Sequence, residues 1–500
     1  MKHSYILSID QSTQSTKAML IDESGRFVMK RDVQHKQLIN SKGWVGHDPD
    51  EIAQNLRIVL KTLLEDSGID RDRIAAVAVT NQRESAMAWD RKTGKPVCES
   101  VVWQCSRAKE LVSRIEKAGG ADLVHQRTGQ QLSPFFSGAK LGWILENVDG
   151  AAERAARGEL CFGTMDSWVI WNLTEGRVHK TDYSNATRMQ LYNIFDMHWD
   201  DDVCRLFGLP KECLPEVCDS DSLFGTTDLF GLLEHPVPIH ADMGDSNASF
   251  FSNGCYEKGT STVSSGTGSC VMYNLGDTPI LSKSGVTTCI AWKTRDEIRY
   301  MFDGVTNYSG AVIAWLEKNA RLVEHASDTE ALAFAANPDD HTFPVPAFTG
   351  IGCPHWRNDA TAAFVGMSRL TGQAELVRAA LESIAFQYAD IAAAMTKDSG
   401  VAISQVYVTG GPSKNGYLSQ FQSDLFACPV ITPFAEERSG IGTAYMAGLS
   451  LGLFDRETLS EVMEAKTFLP QMPEDERQRR LHGWKLALQT VFGYADLQKQ

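Results

Sequence analysis

Two polar turns, each gripped between apolar strands, constrain this chain more than any other feature. An apolar run at 5–9 gives way to DQSTQST at 10–16 and returns at 17–21. In the second half, 261–265 runs into Gly266-Thr267-Gly268 and returns at 270–273. Each turn alone reads equally well as a hairpin tip or as a phosphate cradle of backbone N–H groups and hydroxyls. One per half predicts a duplicated architecture split near residue 253. The expected units are 1–253 and 254–500, packed around a cleft, since no low-complexity linker separates them.

The remaining pattern alternates short apolar strands with helical stretches, so the expected class is α/β. Gly25 turns the chain into a third strand at 26–33, making the start an antiparallel meander. Asp48 is a good N-cap for a helix opening at Pro49, with Asp50 and Glu51 in its first turn. Ile52, Leu56, Val59, Leu60, Leu63 and Leu64 keep helical spacing and predict one buried stripe. The run at 74–79 reads as a strand covered on both faces. It ends in Thr80-Asn81-Gln82-Arg83-Glu84, at the strand end where ligands of open α/β sheets sit. A long helix over 373–396 should bury Leu376, Ala380, Ile384, Ile391 and Met395. A strand at 406–409 then leads through Gly410-Gly411-Pro412 to a helix near Asn415.

Several function classes are disfavoured. Forty-eight Lys and Arg against sixty-three Asp and Glu leave a net charge of −15, which opposes nucleic acid and anionic membrane surfaces. No apolar run approaches the roughly eighteen residues that span a bilayer, and the first residues predict no signal peptide. Eleven cysteines, odd in number, irregularly spaced and without a Cys-x-x-Cys, predict a reduced, cytoplasmic protein with neither a disulfide framework nor a zinc site. Gly254 and Gly259 have Walker-like spacing, but Thr260 replaces the lysine. Gly440-Ile441-Gly442 starts a dinucleotide fingerprint that fails at Tyr445.

In the first turn, Ser12, Thr13, Ser15 and Thr16 surround Asp10, and Lys17 follows. These groups suit phosphate oxygens, with Asp10 able to hold Mg²⁺ through water. Asp245 follows an apolar run and Gly244 and precedes a helix expected from Ser246. It reads either as a helix cap or as a base at the mouth of a sheet. Arg83 and Glu84 read as a surface pair, or as a donor and an acceptor for vicinal hydroxyls. Trp103 suits the core, or the C–H face of a polyol.

At these residues the chain resembles the FGGY carbohydrate kinases and, within them, the glycerol kinases. The matching strings are DQSTQSTKA (10–18), GWVGHDP (43–49), TNQRES (80–85), VVWQCSR (101–107), FGTMDSWVIWNLT (162–174), TDYSNATR (181–188), VPAFTGIG (345–352), ALESIAFQ (380–387), GGPSKN (410–415) and QFQSDL (420–425). They stand in family order and span nearly the whole chain. The resemblance implies two actin-like, ribonuclease H-like ATPase domains with ATP and a small polyol in the cleft between them. It implies a homodimer or homotetramer. By the same resemblance Thr13, Gln14, Ser15, Lys17, Thr267, Gly310, Gly411 and Asn415 would bind the nucleotide, and Asp10 would order Mg²⁺. Arg83, Glu84 and Trp103 would hold the polyol, with Asp245 as catalytic base. A non-kinase ATPase of the actin superfamily is the alternative from another class, and the polyol cluster argues against it.

The chain departs from glycerol kinases in the implied pocket. Phe135 stands for Tyr, Ser246 for Gln and Cys270 for Phe, so a larger or wetter cavity is expected. A tetritol, pentitol or ketose is then the rival to glycerol. Ser106 and Ala314 replace the usual Arg and Gln. The stretch 227–236 has one Gly, no Arg and two acids. Some bacterial glycerol kinases carry a Gly-rich, Arg-ending loop there that binds fructose 1,6-bisphosphate.

Overall fold

The computed structural model describes residues 4–499. The first of two large sheets has the strand order Gly225–Thr227, Val237–Gly244, Ile74–Asn81, Tyr5–Gln11, Ser15–Asp22, Phe27–Gln34. The last three form the expected antiparallel meander. Tyr5–Gln11 lies parallel to Ile74–Asn81, which lies parallel to Val237–Gly244. Asn81 pairs with Gln11 on one side and Gly244 on the other. Because three parallel strands end level, Ser12, Arg83 and Asp245 all emerge at one edge. That register builds half of the site.

Helix Pro49–Ser67 forms as its local signals require. The Asp48 carboxylate accepts from the Asp50 and Glu51 N–H groups, and all six residues of the apolar stripe are buried. Most of that stripe packs on Leu7, Leu20 and Val77 of the first sheet. Each such side chain contributes roughly 1.5–3 kcal/mol on leaving water.

The second large sheet has the order Thr287–Lys293, Ile298–Thr306, Ser269–Gly276, Thr260–Ser265, Gln405–Gly410, Val430–Pro433, Ala465–Phe468. Ser265 pairs with Ser269 across the hairpin and with Gly410 across a parallel ladder. The Gly266–Gly268 turn and Gly411 therefore also emerge at one edge. Helix Gln373–Ser399 is buried around most of its circumference rather than along one stripe, although Leu376 is only partly covered. A five-stranded sheet at the side includes Ser100–Val101, which delivers Trp103.

The sequence halves share core in space. Helix Arg438–Ser450 lies on the first sheet and on helix Asp245–Ser252. Ile441 and Ala444 join Met19, Ala248, Met272 and Met301 in one apolar cluster. A Cβ at Gly442 would stand 1.9 Å from the Ala248 carbonyl oxygen, and one at Gly440 2.1 Å from Met19 Cε. The glycines that mimic a dinucleotide fingerprint serve this close helix packing. Among the described residues, no helix is long and apolar enough to cross a membrane.

Candidate active site

Arg83 is the hub of the cluster it forms with Glu84, Asp245, Asp303 and Cys270. Its side chain is only 7% exposed, and its Nε lies 3.5 Å from Asp245 Oδ1 and 3.8 Å from Glu84 Oε1. Nη1 donates to Asn247 Oδ1 at 3.1 Å and to Asp303 Oδ2 at 3.2 Å. Nη2 lies 3.9 Å from Cys270 Sγ. Glu84 takes the left-handed backbone conformation at φ 62°, uncommon for a residue with a side chain. Its main-chain carbonyl accepts from Ser137 Oγ at 3.0 Å, and its carboxylate from Arg188 Nε.

Asp245 opens helix Asp245–Ser252, one residue earlier than expected, with Gly244 as its N-cap. A third of its side chain, 34%, stays accessible. Burial raises its carboxyl above the ordinary range, against the pull of Arg83. The Ser246 amide and hydroxyl both donate to Asp245 Oδ1, at 2.6 and 3.2 Å. The hydroxyl at 246 is thus spent on the Asp245 carboxylate.

Trp103 and Phe135 meet edge to face with centroids 5.8 Å apart. The indole Nε1 donates to Thr13 Oγ1 at 3.0 Å, so Trp103 is bonded to the first turn. Cys270 follows the second turn by two residues, which brings that turn to the Arg83 cluster as well. Its thiol donates to Asp303 Oδ1 at 2.6 Å. Burial and Asp303 push the thiol far above its usual range, so it stays protonated. Cys270 is therefore part of a bonded floor.

The floor contains two residues that sequence reasoning missed, Arg188 and Asp303. Arg188 Nη1 lies 3.0 Å from Asp303 Oδ2, so this one carboxylate joins Arg83 and Arg188. Burial alone would raise Asp303, but the two guanidinium groups hold it below the ordinary range. Arg188 ends TDYSNATR, where the family signal was present. Asp303 sits in a strand that carried none. Beneath them Lys140 is fully buried, its Nζ bonded to the Pro134 and Phe135 carbonyls. Burial brings its pKa down to about 7 despite Glu84.

In the first turn Gln14 is at the exposed tip, while Ser15 is buried and its carbonyl accepts from Ser12 Oγ at 2.9 Å. Lys17 Nζ lies 3.4 Å from Asp10 Oδ2 and 2.9 Å from Glu437 Oε2. Glu437 also binds Lys30 at 2.6 Å, a clasp from the second half that the sequence did not disclose. Burial pushes the Asp10 carboxyl up to about 6; Lys17 opposes this, and Asp245 and Glu437 add to it.

In the second half Thr267 is exposed, and its carbonyl accepts from the Ser309 and Ala311 N–H groups at 3.0 Å each. A Cβ at Gly310 would stand 2.6 Å from the Gly266 oxygen and 3.6 Å from Pro412 Cγ. Thr267, Gly310 and Gly411 are thus neighbours around one opening, and nothing stands within 4 Å of a Cβ built on Gly411. Asn415 caps helix Gly416–Phe426. Its side-chain oxygen accepts from Leu418 N–H at 2.9 Å, and its amide donates to Thr329 at 3.1 Å.

Asp10 Oδ1 is buried and has no hydrogen-bond partner. That oxygen fits a hydrated Mg²⁺, which takes one or two carboxylates and otherwise water and phosphate. Among the described residues, no group of three or more His, Cys, Asp or Glu is arranged to hold a metal by itself.

Residues 5–252 match the N-terminal domain of the FGGY family of carbohydrate kinases, and 261–451 match its C-terminal domain. Glycerol kinase 1 of Thermotoga maritima is 41% identical over 490 residues, covering 98% of this chain and 99% of its own. Glycerol kinase of Xanthomonas campestris is 39% identical over 496 residues, covering 99% of each. The crystal structure of Plasmodium falciparum glycerol kinase with ADP superposes with a TM-score of 0.92, at 30% identity and 98% coverage of both chains. Gluconate kinase from Lactobacillus acidophilus shares the fold, with a TM-score of 0.87 at 21% identity and 99% coverage of both chains. Two family models that together span most of the chain, with relatives 39–41% identical along nearly all of it, show that the chain belongs to the FGGY family of carbohydrate kinases.

Proposed function

We propose that this kinase transfers the γ-phosphoryl group of ATP to a terminal hydroxyl of glycerol or a closely related small polyol. The observation that carries this is the Trp103–Thr13 hydrogen bond together with the short link from Thr267 to Cys270. Both phosphate turns reach the walls of the pocket that holds Arg83, Glu84 and Asp245. The phosphoryl donor and the polyol would therefore meet beside Asp245, which is far more accessible than Glu84 or Asp303.

Arg83 and Glu84 would grip adjacent hydroxyls as donor and acceptor, and Trp103 and Phe135 would cover the carbon chain. Asp245 would orient the terminal hydroxyl and accept its proton as the oxygen attacks phosphorus. A carboxylate is too weak a base to ionise an alcohol beforehand, so positioning and charge neutralisation carry most of the acceleration. Lys17, the first turn and the Gly266–Gly268 turn would hold the phosphates, with Gly310 and Gly411 bordering the nucleoside end. Asp10 would hold Mg²⁺ through water, and the ion when bound neutralises charge on the phosphates. Closure of the cleft would exclude water, which is itself a phosphoryl acceptor.

A larger polyol or ketose is the second reading. Phe135 and Cys270 offer the substrate no hydroxyl, and the hydroxyl of Ser246 is spent on Asp245. Units of 1–253 and 254–500, a cytoplasmic location and a homodimer or homotetramer complete the proposal. A coupled ADP-release assay across C3 to C6 polyols and ketoses tests it. Polyol-dependent ADP release is expected, and ATP hydrolysis indifferent to every polyol would return the protein to the non-kinase ATPases.

A further inference from the structure

Tyr388, on the buried helix Gln373–Ser399, carries an unusually well connected phenol oxygen. It lies 2.8 Å from Ser265 Oγ, 2.6 Å from Ser269 Oγ and 2.6 Å from Ser309 Oγ. Ser265 Oγ also lies 3.2 Å from Ser269 Oγ and 3.1 Å from Ser309 Oγ. All four residues are buried.

The three serines occupy telling places. Ser265 is the last residue of the strand entering the Gly266–Gly268 turn, Ser269 the first of the strand leaving it, and Ser309 the residue just before the helix that opens at Gly310. One phenol therefore ties together the three backbone segments that carry Thr267 and Gly310. Each hydroxyl has one proton to give and room to accept, so the four can satisfy one another without water. The turn itself points outward, with Gly266 and Thr267 exposed, and the box lies behind the main-chain bonds by which the Ser309, Gly310 and Ala311 N–H groups hold it.

We propose that Tyr388 is a positioning residue for the nucleotide, holding the Gly266–Gly268 turn against the start of helix Gly310–Lys318 so that the turn is preset for phosphate. This rests on reading that turn as a phosphate cradle. Tyr388→Phe keeps the ring and removes only the shared hydroxyl. The serines can still bond one another, so the loss falls on the attitude of the turn more than on the fold.

The test measures ADP affinity by calorimetry, KM for ATP and for the polyol, and Tm. Tyr388→Phe is expected to weaken ADP and raise KM for ATP about tenfold, the scale of one lost buried hydrogen bond. The polyol KM should stay within about twofold of the parent's. Ser309→Ala should shift the same two constants in the same direction, and the double variant should fall short of the product of the single effects because both open one box. Unchanged ADP affinity in folded Tyr388→Phe overturns the proposal, as do equal rises in both KM values with a lowered Tm, the mark of a purely structural tyrosine. Should Tyr388→Phe fail to fold, unchanged ADP affinity in Ser309→Ala overturns it instead. Failure of the unmodified protein to bind ADP overturns the cradle reading itself, and the inference with it.

Discussion

Replacing Asp10 by Asn should stabilise the ligand-free protein while destroying its activity. Asp10 is 4% exposed, and burial raises its carboxyl from 3.8 to about 6 even with Lys17 beside it. The folded state therefore holds the proton more tightly than the unfolded chain does. Between pH 3.8 and about 6 the folded protein binds more protons, so this group costs stability as pH rises. The cost is absent below 3.8 and complete above about 6. A shift of about 2 units corresponds to ~3 kcal/mol at 1.36 kcal/mol per unit. With an unfolding entropy of about 2.1 cal/mol/K per residue over 500 residues, Tm should rise by ~3 °C. Lys17 would not be orphaned, because Glu437 holds it at 2.9 Å. The assay is thermal unfolding of both proteins in EDTA from pH 4 to 8. The advantage of Asp10→Asn should be largest above pH 6.5 and fade towards pH 4, while stabilisation by MgADP should shrink. A variant less stable than its parent at pH 7.5, or equally advantaged at pH 4 and pH 8, would refute the reasoning.

Asp245→Asn should lower kcat at least ~10²-fold, the scale of a general base, with ADP still bound; near-normal turnover removes Asp245 from the mechanism. Because burial raises the Asp245 carboxyl, the acid limb of the kcat–pH profile should lie above the ordinary carboxylate range, and a limb near pH 4 would contradict this. A polyol or ketose larger than glycerol should give the higher kcat/KM, and the combined variant Phe135→Tyr, Ser246→Gln, Cys270→Phe should move specificity towards glycerol. A pronounced preference of the unmodified enzyme for glycerol would show these residues to be tolerated drift. Fructose 1,6-bisphosphate should not inhibit through 227–236, where Phe230 lies over the Arg57 guanidinium at 3.8 Å and the loop supplies Asp228 and Glu234 but no arginine. Strong inhibition at low millimolar effector would count against that.

The meander, helix Pro49–Ser67 and both turns were legible because each is dictated within a few residues. An Asp cap before Pro, an apolar residue every third or fourth position, and hydroxyls clustered in a turn act locally, whatever surrounds them. Asp245 was legible from its place after a strand, and the role proposed for it comes from the family resemblance. Asn415 caps a helix with its side-chain oxygen, a local role that its Gly-rich surroundings did not announce. Gly440 and Gly442 show the reverse: a nucleotide-like spacing that in space is a helix pressed on Ala248 and Met19.

What the sequence determined by itself was therefore the α/β alternation, the family, and the residue types offered to phosphate and polyol. What only the tertiary structure decided was which charges meet. Arg83 joins Asp303 across 220 positions, Lys17 joins Glu437 across 420, and Tyr388 gathers serines 79 to 123 positions away. A periodicity or a cap is set by neighbours along the chain. These pairings depend on how strands and helices far apart in the chain pack against one another, and that geometry is written in no single stretch of residues.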